Sequence, residues 1–317
     1  MNPITGLITA LIGLTAVYLG AWGRAFTSAK HIAGSLRSPA DDTRFPTALQ
    51  LIIGFVTNFF DTLGIGSYAP TTAIYKLKKI VDDRLIPGTM TIGHTLGTTV
   101  QTILFTAAVP VDVTTLFSMI GAAILGAWLG AGVVAKWPRR KIQIGMGVAL
   151  LVAGTLMFLS AGGPFEQMTG IKGVPGGGDA IGVTGTKLVI AIGVNFVLGA
   201  LMTLGIGLYA PCMITVFLLG MNPKAAFPIM MGSCAFLMPV AAIRFIKEKS
   251  YSNRPALGLT LAGVPGVLLA YTWFQSLPID KVKWVVVAVV LYTAIAMLRS
   301  AFATSDQSAP EPARAEA

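Results

Sequence analysis

The stretch Thr62-Leu63-Gly64-Ile65-Gly66-Ser67-Tyr68-Ala69-Pro70 returns 141 residues later as Thr203-Leu204-Gly205-Ile206-Gly207-Leu208-Tyr209-Ala210-Pro211, and nine of the sixteen positions from Thr62 to Leu77 match their counterparts. Pro87 maps onto Pro228 at the same offset. Shared Gly, Tyr and Pro at fixed spacing are hard to obtain from unrelated apolar segments, so the chain is a duplication. In each copy a longer apolar run (47–63, 186–204) leads into the break and a short one (68–78, 209–220) leaves it. The short runs cannot cross a bilayer, which takes about 20 residues. Paired glycines let the backbone leave helical geometry without a Cβ clash. Pro70 and Pro211 are expected at the first position of a new helix, where a missing N–H costs nothing.

Outward from the breaks, the composition excludes a water-soluble globule. The chain has 317 residues, 54% apolar and only 11% charged, against about 25% charged in soluble domains; its mean hydropathy is +0.75. Most of its surface must face lipid. The formal charge of +10 is expected from cytoplasmic loop bias, not from nucleic-acid binding. Cys212 and Cys234 both lie in apolar segments, which points to neither a disulfide framework nor a metal site, and no cofactor is expected.

Further apolar runs at 3–23, 86–109, 113–136, 140–161, 224–246, 256–274 and 282–299 complete an all-α polytopic membrane protein. The expected plan is one N-terminal helix with an interfacial segment (1–45), repeat 1 (46–161), an extracellular Gly-rich linker (162–185), repeat 2 (186–300) and a disordered cytoplasmic tail (301–317). Each repeat is a broken-helix hairpin followed by three crossings. With the Lys and Arg clusters at 24–44, 76–84, 136–141 and 244–254 placed inside, together with Arg299 and Arg314, 18 of the 23 bases are cytoplasmic. The first hairpin then starts and ends inside and the second outside, so the two repeats are inverted. The N-terminus is outside, the C-terminus cytoplasmic, and the location is a multi-pass cytoplasmic membrane protein. Inverted repeats with broken helices are a recurrent transporter plan, with the site at the repeat interface.

A helix starting inside the membrane presents unsatisfied N–H groups and a positive dipole end, which suits an anion. The candidate binding set is therefore Gly64, Gly66, Ser67, Tyr68, Pro70, Thr71 and Thr72 in repeat 1, facing Gly205, Gly207, Tyr209, Pro211 and Cys212 in repeat 2. Asp61 lies directly before the first break, where its counterpart is Met202. A carboxylate there costs several kcal/mol unless protonated, paired or hydrated, and beside an anion it repels the ligand, which gives a basis for proton coupling. His94 and Thr95, within a Thr-rich stretch from Thr89 to Thr102, and Ser233 in the matching segment of repeat 2 are candidate coupling or pathway residues. Asn58 and Asn195, before the two breaks, are expected to bond an unwound carbonyl or to cross-link helices.

The duplicated apolar halves, each opening with Gly-Ile-Gly followed by proline (Gly64, Gly66, Pro70; Gly205, Gly207, Pro211), resemble the sulfite exporter TauE/SafE family, also called the toluene sulfonate uptake permeases. The resemblance covers roughly 47–300. It implies a secondary transporter of the cytoplasmic membrane moving sulfite, sulfonates, thiosulfate or related oxyanions. Ser67-Tyr68 and Leu208-Tyr209 stand where that family often has further glycines, and the two tyrosines narrow the site and add hydroxyl donors. The function expected is thus alternating-access transport of a small sulfur oxyanion, with an anion channel or a carrier of a non-sulfur organic anion as the alternative. An enzyme is not expected, because aspartate hydrolysis takes a pair of carboxylates and Asp61 stands alone in an apolar segment. Partners are the anion and the bilayer; the oligomeric state is not legible.

Overall fold

A computed structural model describes residues 2–30, 38–134, 138–160, 178–203 and 206–303. The chain is an all-α polytopic membrane protein. Its α-helices are α1 (Pro3–Lys30), α2 (Ala48–Thr62), α3 (Tyr68–Leu77), α4 (Ile86–Ala108), α5 (Val113–Val134), α6 (Arg139–Ser160), α7 (Gly185–Met202), α8 (Tyr209–Leu218), α9 (Ala226–Lys247), α10 (Asn253–Gln275) and α11 (Ile279–Ala303). Among the described residues the one β-type pairing is an isolated bridge between Ala180 and Met221. Among the described residues, seven helices are long and apolar enough to cross a membrane: α1, α5, α6, α7, α9, α10 and α11. The set differs from the expected seven crossings in one member. α4 has the length, at 23 residues, but its threonines, His94 and Gln101 lower its hydropathy, and they are buried against other helices, not turned to lipid.

α1 continues as one helix through Arg24 to Lys30, so these bases extend the first crossing and do not open a separate interfacial helix. Most of the expected linker and the tail lie outside the described residues; the linker's last part, 178–184, packs on the loop before α9 through Asn222 N–H to the Ala180 carbonyl at 2.8 Å.

The 141-residue offset is carried by every later element: α2 to α6 reappear as α7 to α11, with boundaries agreeing to within a few residues. The repeats are not two separate bundles. α2 packs along α10 and α7 along α5, so each hairpin's long helix rests on the second of the other repeat's three crossings, while α4 pairs with α9 and α6 with α11. The exchange is close enough to exclude side chains: a Cβ on Gly54 would stand 2.6 Å from the Gly258 carbonyl oxygen, and one on Gly199 would collide with the Ala123 backbone. Small residues at such crossings let backbones approach where no hydrophobic effect drives helices together.

Both hairpins turn back. α2 starts with Ile53 beside Ile86, Met90 and Tyr75, and ends with the Thr62 hydroxyl on Gln101 Oε1 at 3.0 Å. α3 then returns along α4, with Tyr68 at Thr91 and Tyr75 at Ile86. In the second hairpin Lys187 Nζ, at the start of α7, donates to the Leu219 carbonyl just past α8 at 3.0 Å. The start of hairpin 1 lies with Asn253 and Arg254, which donate to the Asp42 and Phe45 carbonyls, and the end of hairpin 2 with Ala108 to Pro110 and Gln275. They therefore reach the centre from opposite ends of the molecule. Every described Lys and Arg except Lys187, Lys224, Lys281 and Lys283 belongs to the end from which hairpin 1 starts, called the basic end below.

The symmetry is broken around the short helices. α8 is enclosed by α7, α9, α6 and α11, and Cys212 and Val216 are fully buried. α3 rests on α2 and α4, leaving Ala69, Ala73 and Leu77 exposed.

Candidate functional site

The first break forms because Gly64 and Gly66 adopt φ of +97° and +87°, a left-handed region that a Cβ disfavours. α2 ends in a Leu63 cap, and α3 restarts with Ser67 as its N-cap. Pro70 is thus the third residue of α3 and Pro211 the third of α8, not the first. The physical sense is unchanged, since the first four N–H groups of a helix all lack an intrahelical partner. Gly207 is not among the described glycines with positive φ, and a Cβ there meets nothing within 4 Å. Gly205 lies outside the described residues.

Asp61 is 3% exposed. Its Oδ1 accepts the Ser67 N–H at 2.6 Å and its Oδ2 accepts Gln101 Nε2 at 2.8 Å. The carboxylate therefore caps α3 from across the break. Gln101 Nε2 also donates to the Tyr209 hydroxyl at 3.1 Å, and the Gln101 carbonyl accepts from Thr62. Tyr209 lies close to Cys234, whose thiol donates to Met202 Sδ at 3.6 Å. One chain of polar contacts thus runs from the first break (Asp61, Ser67), through Gln101 of α4, to the start of α8 (Tyr209). It crosses the repeat interface at the point where the two hairpins meet. Among the described residues no Lys or Arg ion-pairs with Asp61.

A second group lines the groove between α3 and α4. The Tyr68 hydroxyl donates to Thr91 Oγ1 at 3.2 Å, Thr71 Oγ1 is 3.1 Å from His94 Nε2, and Thr72 donates to Met90 Sδ at 3.2 Å. The Tyr68 and His94 rings lie 5.9 Å apart. His94 is fully buried and its Nδ1 has no partner.

Of the expected site residues, the structure brings together Asp61 and Ser67 directly and Tyr209 through Gln101, with Tyr68, Thr71, Thr72 and His94 alongside. Cys212 is fully buried in the apolar cluster around α8. Thr95 turns its hydroxyl to the Thr91 carbonyl of its own helix. Ser233 bonds the Ile229 carbonyl at 2.8 Å and accepts from Asn195 Nδ2 at 3.3 Å, which makes it part of a helix cross-link. Asn195 also donates to the Met119 carbonyl at 2.6 Å, tying α7 to α5, whereas Asn58 bonds the Gly54 carbonyl of its own helix at 2.8 Å and is wedged against Gly97 and Gly263. The two asparagines occupy exchanged positions: the counterpart of Asn58 is Gly199 and that of Asn195 is Gly54.

Gln101, inside the Thr-rich stretch, is the central residue that the sequence analysis did not single out. Its signal was available: Thr91, His94, Thr98 and Gln101 follow a 3-4-3 spacing, one stripe of α4, and a glutamine inside a span needs a partner. Cys234 carried no such signal. No group of three or more His, Cys, Asp or Glu with metal-binding geometry occurs among the described residues. No protein-family model, curated protein or solved structure matches the chain.

Proposed function

We propose that the chain is a secondary transporter of small sulfur-containing oxyanions of the sulfite, sulfonate or thiosulfate class, working by alternating access and coupled to protons through Asp61. The observation that carries this reading is the polar chain Asp61–Gln101–Tyr209, which joins two broken-helix hairpins arriving from opposite ends. Broken helices at a repeat interface are where secondary transporters hold their substrates, and the start of a half-helix favours an anion. The sulfur-oxyanion class rests on the TauE/SafE resemblance of the Gly-Ile-Gly/Pro pair. The bias of Lys and Arg to one end supports a cytoplasmic membrane with that end inside, the N-terminus outside and the C-terminus inside.

Thermal stabilisation of the detergent-purified protein tests the reading, because a ligand that binds only the folded state raises the melting temperature. The panel is sulfite, sulfate, thiosulfate, taurine, sulfoacetate, acetate and chloride, with Gly207→Leu as the blocked variant, since space is open there. One sulfur oxyanion should stabilise the wild type and not the variant; stabilisation by acetate alone moves the substrate to organic anions. Asp61→Asn should keep anion binding and lose its pH dependence, and pH-dependent binding in that variant removes the coupling. Anion flux that never saturates in liposomes argues for a channel.

A further inference from the structure

We propose that His94 is a proton relay that loads Asp61 from the basic end of the molecule, along a polar stripe that only the first repeat carries. The stripe is Thr91, His94, Thr98 and Gln101, spaced along one face of α4 and all buried. α3 covers it with Tyr68 at Thr91 and Thr71 at His94, and Gln101 delivers it to the Asp61 carboxylate. At the same places repeat 2 has Gly232, Ala235, Pro239 and Ala242, with Met202 for Asp61, Cys212 for Thr71 and Val216 for Tyr75. The duplication therefore kept the backbone of both halves and placed the ionisable apparatus in one.

Two unpartnered atoms mark the groove as a route. His94 Nδ1 and the Tyr75 hydroxyl are both buried without a hydrogen-bond partner, and Tyr75 lies one turn further along α3 toward the basic end. Buried polar atoms are nearly always satisfied by protein or water, so two such orphans on one helix interface suit a thread of water between them. A packing histidine, like other buried polar groups, nearly always has its polar atoms engaged. One held at Nε2 by Thr71 and open at Nδ1 can take a proton at one nitrogen and release one from the ring. The cover is also thin on this side, because α3 leaves Ala69, Ala73 and Leu77 exposed while α8 is enclosed.

The step moves one proton. A hydronium arriving past Tyr75 protonates neutral His94; the imidazolium releases a proton to water beside Thr98; that water gives it to a carboxylate oxygen of Asp61. His94 returns to neutral and Asp61 becomes a carboxylic acid. Tyr68 and Thr71 of α3 face His94 directly, Tyr18 of α1 and Thr260 of α10 reach its helix at the Ile92 and Gly93 carbonyls, and Asp61 of α2 and Tyr209 of α8 lie at the far end of the stripe, on Gln101. Among the described residues Asp61 is the only carboxylate bonded to the stripe, and so the acceptor.

The relay rests on the coupling reading for its purpose, but its test is independent of any anion. The full-length protein in detergent is given a rapid drop in pH, and the infrared carbonyl band of protonated Asp61, identified as the band lost in Asp61→Asn, is followed in time. His94→Gln, which retains a partner for Thr71, should reach the same final amplitude at the same pH midpoint, but roughly tenfold or more slowly. Tyr75→Phe, a one-atom deletion, should slow the rise less, and Ala235→His in repeat 2 should leave it unchanged. An unchanged rate in His94→Gln overturns the relay, as does a shifted midpoint at wild-type rate, which marks a structural role. If His94→Gln does not fold, Tyr75→Phe decides: a wild-type rate there overturns the route. Thiosulfate and sulfite uptake into liposomes separates the two ideas. Relay kinetics without uptake of any anion sink the transport reading alone; uptake with a static Asp61 band sinks the relay alone.

Discussion

Asp61 and its counterpart Met202 show how one residue differentiates two copies of the same backbone. In repeat 1 the carboxylate occupies the Ser67 N–H and so takes the place a bound anion would take. Among the described residues of repeat 2 no carboxylate does so. The glycines of the breaks are likewise unequal. Gly66 is held at φ +87°, whereas Gly207 uses no positive φ, and both have open space where a Cβ would project. Gly66→Ala is expected to cost about 1 kcal/mol or more through backbone strain, and Gly207→Ala to be near neutral. Melting curves of the two variants check this, and equal losses would mean that the breaks share one conformation.

At the scale of elements, helix contacts divide into those that tolerate change and those that do not. Gly199 faces the Ala123 backbone where α7 crosses α5. Gly199→Leu should cost about 3 kcal/mol or more and lower the folded yield, while Gly13→Leu on α1, with nothing nearby, should not. A second device is the clasp at the basic end. Buried Asp41 accepts from the Ser38 hydroxyl at 2.6 Å and pairs with Lys249 Nζ at 3.3 Å, holding the segment before α2 to the α9–α10 turn. The Ser38 hydroxyl, with the Ser38 N–H and Lys249, holds the Asp41 carboxyl below the usual carboxylate range. A folded-state value below the unfolded one gives stability that is complete at neutral pH and is lost as pH falls through the carboxylate range. Melting temperature should therefore drop from about pH 5 to pH 3, and Asp41→Asn should lower the neutral value and flatten part of that drop.

The hairpins were legible because Gly-Ile-Gly and a following proline act locally, on the backbone that carries them. α3 and α8 fall within two residues of the expected 68–78 and 209–220. The polarity of α4 was legible too, but not that Gln101 would join Asp61 to Tyr209, since that contact spans sequence separations of 40 and 108 residues. The exchange of α2 and α7 between repeats was equally out of reach, because an apolar helix face does not specify its partner.

For the whole molecule, the distribution of charge predicts orientation. Cys212 and Cys234 are buried, so the wild type should resist membrane-impermeant maleimide and serve as its own blank. In intact cells Lys224→Cys should label from outside, and Arg84→Cys only after permeabilisation; the reverse pattern inverts the topology. The exchanged packing also bears on how the chain is made. When the ribosome has finished α7, the α5 on which it lies is already in the membrane. α2 has no such partner, because α10 is still unsynthesised when the first hairpin emerges. At about 5–20 residues per second, the first hairpin waits on the order of ten seconds or more with its small-residue seam and its Asp61 unburied. Biogenesis is thus as lopsided as the site: the half that holds the carboxylate is made first and completed last, and the insertion machinery must shelter it until the second half arrives.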